Sequence, residues 1–281
     1  MNHGKKQDSR GSRVALVTGG SRNIGRAIAK TLAEKGYFVY VAGQTKSASL
    51  QETYQNIISS GGKGGMVFAD LSDPTAIRSM VDQIGEEVGG IHILVNNAAI
   101  RPATPILDIT PVEWDNVLAV NLRGAFLCSQ LVIPHMVSAG FGRIINITGV
   151  DAYWGTPNRC HVVASKAGLI GLTRALASEI SDFGITANCL VLGFIDTVRE
   201  GVARSLIHDE WRKVRINQTL LKRAGKPEDV AHMVAFIASD ESQFITGQEI
   251  HINGGGYPTV RGAESEYDEI RRNLISKGID A

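Results

Sequence analysis

Residues 14–25 read VALVTGGSRNIG. VALVT (14–18) is a short, β-rich apolar run. It passes directly into a glycine-rich turn, TGGSRNIG (18–25), and then into a helix-like segment over 24–35. Glycines in such a turn permit a tight bend and let a ligand approach the backbone closely. The helix that follows offers free N–H groups and the positive end of its dipole. Strand, glycine turn and helix in that order suit the pyrophosphate of a dinucleotide. A glycine-rich turn that binds nothing has the same composition, so the reading depends on what surrounds it.

The surroundings repeat the alternation. FVYVA (38–42), GMVFA (65–69), IHILVN (91–96), GRIINIT (142–148), ITANCLVL (185–192) and EIHIN (249–253) read as further strands. Their apolar residues fall on both faces, as in a sheet covered on both sides. Helix-like segments over 47–59, 74–88, 113–138, 158–181 and 227–239 lie between them. Strands alternating with helices imply right-handed βαβ units. The expected fold class is α/β: a Rossmann-type doubly wound parallel sheet in a single domain. No repeat or interdomain linker interrupts it. The polar start MNHGKKQDSRGSR lacks an apolar core and reads as a flexible tail over 1–12 rather than a secretory signal. The domain is expected over 13–257. A C-terminal extension over 258–281 follows, in which SEYDEIRRNLISKG reads as an amphipathic helix stopped by Gly278.

Composition bounds the function. The chain has 281 residues, 43% hydrophobic, with a formal net charge of +1. That length suits one large core, and so small a charge gives no footprint for nucleic acid or a membrane surface. The apolar runs read as too short to span a bilayer. Cys128, Cys160 and Cys189 form no CxxC or metal pattern, so no metal site is expected, and they fit reduced thiols in the cytoplasm.

The turn and several later segments together resemble the short-chain dehydrogenase/reductase family, with a likeness to its 3-oxoacyl-[acyl-carrier-protein] reductases. TGGSRNIG resembles the family's T-G-x-x-x-G-I-G. Gly19 and Gly25 match, and Asn23 replaces the middle glycine, which Asn can do because it tolerates unusual backbone angles. Asn96-Asn97-Ala98-Ala99 resembles N-N-A-G, and Asp70-Leu71 follow the third strand, where the family contacts adenine. Leu192-Gly193-Phe194-Ile195-Asp196-Thr197 resembles the P-G-x-I-x-T segment beside the nicotinamide, with Leu in place of Pro. FITGQEIHINGGG (244–256) resembles the closing strand. The resemblance implies a nicotinamide dinucleotide held by Gly19, Ser21, Arg22, Asn23, Ile24, Gly25, Asp70, Leu71, Asn97, Ala98, Ala99, Lys166, Gly193, Ile195 and Thr197. The second strand ends in VAGQTKS, with Gly43 near the position where NAD-selective sites carry an acid. No carboxylate there repels a 2′-phosphate, and Arg22 and Lys46 could attract one. NADP(H) is therefore expected over NAD(H).

The catalytic segment departs from the family. GRIINITGVDAYWGTPNRCHVVASK (142–166) has the layout in which a Ser ends the strand, a Tyr follows and a Lys lies four residues further on. Counting back from Lys166 puts Val162 at the Tyr position and Gly149 at the Ser position. In the family the Tyr moves the proton, the Lys lowers its pKa and orients the cofactor ribose, the Ser orients the carbonyl, and an Asn holds a relay water. Lys166 and Asn121 (in VNLRG) match. Valine cannot transfer a proton, and losing a positioned acid/base typically lowers the rate by about 10²–10⁴-fold. Thr148 should face the other side of its strand. Two nearby groups could take over the proton. His161 titrates near neutrality, although one helical step turns it by about 100° from Val162, and a helix-surface or interface His is the plainer alternative. Asp151 falls in a loop that lines such pockets, where a backbone-bonded carboxylate is the plain alternative. Tyr153 and Trp154 could wall the pocket and Arg101 could meet an anionic group. Cys160 reads as structural. Lys166 could in principle form a Schiff base, but its ribose role is the expected one. Residues 194–222, at the family's substrate lid, carry Arg199, Arg204, Arg212, Lys213, Arg215 and Lys222, partly offset by Asp196, Glu200, Asp209 and Glu210.

The expected function is an oxidoreductase acting on a small carbonyl or alcohol, with atypical proton handling. The rivals are a non-redox lyase or hydrolase reusing the pocket, and a cofactor-binding sensor or scaffold without turnover. The long apolar segments 113–138 and 158–181 correspond to helices that pair across a twofold axis in the family, so a homotetramer or homodimer is expected.

Overall fold

The computed structural model describes residues 11–197 and 206–258, with backbone alone for 206–211. Most of the expected 1–12 tail and the expected C-terminal helix lie outside the described residues. Seven strands form one parallel sheet: β1 (Val14–Thr18), β2 (Phe38–Gly43), β3 (Lys63–Phe68), β4 (Ile93–Asn96), β5 (Gly142–Gly149), β6 (Ile185–Leu192) and β7 (Glu249–Ile252). Their order is β3-β2-β1-β4-β5-β6-β7. Chain order reverses between β1 and β4, so the connections after these two strands leave on opposite faces and open a crevice at their carboxyl ends.

Side chains alternate along each strand, which divides the core in two. Ala15 and Val17 of β1 pack toward α1 (Asn23–Glu34), α2 (Ala48–Ser59) and α9 (Pro227–Ala238). Val14 and Leu16 pack toward α3 (Pro74–Val88), α5 (Gly124–Ala139) and α7 (Cys160–Ile180). Burying each such Val, Leu or Ile contributes about 1.5–3 kcal/mol. Local signals set the helix ends. Asp73 accepts from Thr75 N at 2.8 Å ahead of Pro74, and Gly89 closes α3 with φ +89°. Thr110 accepts from Glu113 N at 3.1 Å ahead of Pro111, starting α4 (Pro111–Leu118).

Three details differ from the sequence reading. β3 starts two residues earlier, at Lys63, because Gly64 and Gly65 pair with Val39 and Tyr40. A Cβ on Gly64 would lie 2.2 Å from the Val39 carbonyl, so this glycine permits a close strand approach rather than a turn. The single helix expected over 113–138 is α4, a π-helical turn at Ala119–Arg123, and α5. Apolar periodicity alone does not register one wider turn. Third, the stretch Pro111–Ala139 is long and apolar enough to cross a membrane by length and composition, contrary to the expectation. Its Val117, Ala119, Ala125, Cys128, Val132 and Met136 are buried in the fold.

Candidate cofactor and active site

The crevice is built first from the turn after β1. The Thr18 hydroxyl donates to the Val95 carbonyl at 3.2 Å and accepts from the main-chain N–H of Asn97 at 3.0 Å and Ala98 at 3.1 Å. Asn97 Nδ2 returns bonds to the carbonyls of Thr18 at 3.0 Å and Gly19 at 3.1 Å. Gly19 has φ +63°, and a Cβ there would lie 2.9 Å from Ala98 Cα. A Cβ on Gly25 would lie 2.1 Å from the Gly19 carbonyl. Asn23 has φ +49°, in the left-handed region that glycine and asparagine adopt most readily. Arg22, in extended backbone, stands at the N-cap of α1. The result is a narrow cradle of backbone with Ser21 and Ile24 half-buried beside it, and it fits a pyrophosphate.

Around the cradle lie the groups that would meet the adenosine half. Asp70 accepts from Ser72 N at 2.8 Å, Ser72 Oγ at 2.7 Å and Gln44 Nε2 at 2.9 Å. These bonds, Ser72's first, hold its carboxyl below the ordinary range. Leu71 is half-buried next to it, while Arg22 and Lys46 are exposed. Gly43 ends β2, so that strand end itself carries no acidic side chain.

At the nicotinamide end, Asn121 sits in the π-helical turn. Its Oδ1 accepts from Ile100 N at 2.8 Å, and its Nδ2 donates to the Ile100 carbonyl at 3.0 Å and Ser165 Oγ at 3.1 Å. The turn thus fixes the chain just after Ala99. Lys166 Nζ donates to the Ile147 carbonyl at 2.7 Å. The Lys166 ammonium is buried, and desolvation, helped by the nearby Arg101 charge, brings its pKa down to about 8. Val162 lies one turn before Lys166 on α7 and is 1% exposed. Thr148 donates its hydroxyl to the Lys166 carbonyl at 3.1 Å, which takes it out of the Ser role. A Cβ on Gly149 would meet the Leu192 carbonyl at 3.5 Å and nothing nearer, so a small side chain has room at this position. Gly193 approaches Asn253 so closely that a Cβ would lie 2.6 Å from its Cα. Ile195 is buried and pairs with Gly225, and Thr197 is exposed at the last described residue before 206.

The two residues expected from sequence as alternative proton carriers are placed as follows. Asp151 opens the short helix α6 (Asp151–Trp154) rather than lying in a loop, and its Oδ2 pairs with Arg101 NH2 at 3.2 Å. His161 is fully buried, and its Nε2 lies 3.2 Å from Glu113 Oε1, which also accepts from the Thr104 hydroxyl at 2.6 Å. His161 Nδ1 is buried without a partner. Tyr153 hydrogen-bonds Glu249 and packs at a tilt against the rings of His251 and Tyr257. Trp154 meets Tyr257 edge-on and lies under Arg215. In the lid region Arg212 pairs with Asp196, and Lys222 donates to the Asn217 carbonyl at 2.6 Å. Arg199, Glu200 and Arg204, and the side chains of Asp209 and Glu210, lie outside the described residues. Among the described residues no group of three metal-ligating side chains occurs. Thr18, Ile100, Glu113 and Ser165 were missed by sequence reasoning. Thr18 alone left a trace, as the first residue of the turn motif.

Comparison with known proteins agrees with this geometry. The family profile described as enoyl-(acyl carrier protein) reductase matches residues 19–256. The 3-oxoacyl-[acyl-carrier-protein] reductase FabG of Staphylococcus epidermidis is 37% identical over 246 residues, covering 88% of this chain and 99% of that protein. Its Escherichia coli counterpart is 38% identical, covering 87% and 97%. A putative short-chain alcohol dehydrogenase from Sinorhizobium meliloti superposes with a TM-score of 0.83 at 35% identity, covering 88% and 97%. A putative NAD(P)-dependent gluconate 5-dehydrogenase from Beutenbergia cavernae, solved with NADP, superposes at 0.81 and 33% identity, covering 87% and 96%. The chain belongs to the short-chain dehydrogenase/reductase family of Rossmann-fold oxidoreductases.

Proposed function

We propose that the protein is an NADP(H)-preferring oxidoreductase of a small carbonyl or alcohol, whose proton reaches the substrate without a Tyr hydroxyl. The observation that carries this reading is the survival of the family's support around two lost hydroxyls. Asn121 still clamps Ile100 and Ser165, and Lys166 still stands one turn from position 162. When bound, the nicotinamide supplies or accepts the hydride. Thr18, Asn97, Gly19 and Gly25 shape the pyrophosphate cradle, and Lys166 orients the ribose. Lys166 and Asn121 order water at the notch beside Gly149, and that water carries the proton in place of a phenol. The NADP preference rests on Gly43, Arg22 and Lys46, and the NADP-bound relative accords with it. A cytoplasmic setting fits three free thiols.

The experiment is calorimetry of the full-length protein with NADPH and NADH, followed by nicotinamide absorbance with a ketone panel. Tighter NADPH binding with substrate-dependent oxidation is expected. Equal affinities overturn the preference. Product without any change in cofactor redox state supports a non-redox enzyme, the reading that the loss of both hydroxyls favours. Tight cofactor binding with no product from any substrate supports a sensor.

The protein is also proposed to form a homotetramer or homodimer through α5 and α7. Phe126 and Val137 of α5 are exposed at 41% and 39%, as a self-complementary apolar face requires. A monomer at micromolar concentration in analytical ultracentrifugation refutes this.

A further inference from the structure

Lys166 is a buried cation without an anion. Among the described residues its hydrogen bond goes to a neutral carbonyl, that of Ile147, and no carboxylate pairs with it. The charged group acting on it most is another cation, Arg101. A buried charge is costly unless it is paired. In the family pattern an ionisable hydroxyl stands one turn away, and here that position is Val162.

Arg101 follows β4, and Asp151 follows β5, so the two flank the same end of the sheet as Gly149. Arg101 is half-exposed and is held by Asp151 through one guanidinium nitrogen, at 3.2 Å. A guanidinium can fork onto a carboxylate with two parallel bonds, so this contact leaves capacity unused. At the end of β5 Gly149 carries no side chain, and a Cβ there would meet nothing nearer than the Leu192 carbonyl at 3.5 Å, which leaves a notch at this sheet end. Among the described residues the two cations, Arg101 and Lys166, act on one another and are matched by one paired carboxylate, Asp151.

We propose that the notch binds a small oxo or hydroxy acid, whose carboxylate takes the fork of Arg101 and lies in the field of Lys166. Asp151 is the internal ligand that holds Arg101 in place until the substrate carboxylate replaces it. The substrate thereby brings the negative charge that no described residue supplies to Lys166. This rests on the oxidoreductase reading and names its substrate class.

The test uses full-length protein saturated with NADPH and two matched pairs of probes: 2-oxobutanoate with 2-oxobutanamide, and 3-oxobutanoate with 3-oxobutanamide. Calorimetry is expected to show one acid binding at least about tenfold more tightly than its amide, the usual worth of a charge-assisted bond. Arg101→Gln is expected to erase that gap while NADPH affinity stays within about twofold. Asp151→Asn is expected to tighten acid binding severalfold, because the internal competitor is weakened. Acid and amide binding alike in the wild type, or a gap that survives Arg101→Gln, overturns the proposal. Nicotinamide absorbance separates the two readings. Arg101-dependent acid binding without NADPH oxidation keeps this subsite and removes the redox reading. Equal turnover of acids and amides keeps the redox reading and removes the subsite.

Discussion

Asn97 donates its side-chain amide to the main-chain carbonyl of Gly19 at 3.1 Å, tying the end of β4 to the turn after β1. The same amide nitrogen lies 2.7 Å from where a Cβ on Gly25 would stand. One side chain thus closes the cradle from the β4 side while two glycines keep its floor at backbone level.

Gly25→Ala cannot be absorbed by a rotamer change, because the nearer clash is with the Gly19 carbonyl at 2.1 Å. The turn must move. We expect about 1–3 kcal/mol of destabilisation, typical of overpacking, together with near-complete loss of NADPH binding. Urea denaturation and nucleotide fluorescence titration measure the two. Wild-type NADPH affinity in this variant would show that the cofactor does not use the turn.

Lys166→Met tests the buried ammonium. Its folded pKa is about 8 against an ordinary 10.5, so the charged form is disfavoured in the native state. The unfolded chain then holds the proton more tightly. The penalty on folding is full below pH 8 and fades as pH rises from 8 to 10.5. After allowing for the lost bond to Ile147, Met should stabilise the ligand-free protein by about 2 kcal/mol at pH 7, and should lose that advantage by about pH 10.5. NADPH binding should weaken at the same time. A stability difference that is the same at both pH values would remove the desolvated charge from the account.

Repair of the missing hydroxyls should be uneven. Gly149→Ser meets ordinary contact distance, so its stability change should stay within about 0.5 kcal/mol. Val162 is already buried, so Val162→Tyr must push neighbours aside and should cost about 1–3 kcal/mol. With both changes, reduction of activated neutral ketones should rise by about 10²-fold or more over wild type, because a positioned acid is restored. A folded double variant, its cofactor still bound and its ketone activity unchanged, would show that hydride geometry rather than the proton limits the wild type.

His161→Ala distinguishes packing from proton transfer. His161 is fully buried and faces Glu113, which the Thr104 hydroxyl and then His161 hold below the ordinary carboxyl range. Truncation should destabilise the fold by about 2–4 kcal/mol through the cavity it leaves. Turnover by the folded fraction should fall no more than about threefold, since the ring is spent on α4. A loss of about 10²-fold with a changed pH profile would instead mark a proton carrier.

The sequence by itself determined the alternation of strands and helices, the glycine turn and the identity of Gly149 and Val162 at the spacing from Lys166 where the resemblance expects a Ser and a Tyr. These depend on short-range regularities: apolar period, glycine where a backbone must bend, and fixed spacing from Lys166. Helix division escaped it, because the π-helical turn that seats Asn121 keeps the apolar character of its flanks. Tertiary structure alone decided which polar groups meet. Arg101 and Asp151 are 50 residues apart, Asn121 and Ser165 are 44 apart, and Thr18 and Asn97 are 79 apart. Their pairing follows from the order of strands in the sheet, which brings loops distant in the chain to one crevice. The same holds for Lys166, which among the described residues meets a carbonyl and no carboxylate. Whether a buried charge has a counter-ion depends on every element packed around it, and no window of sequence contains them all.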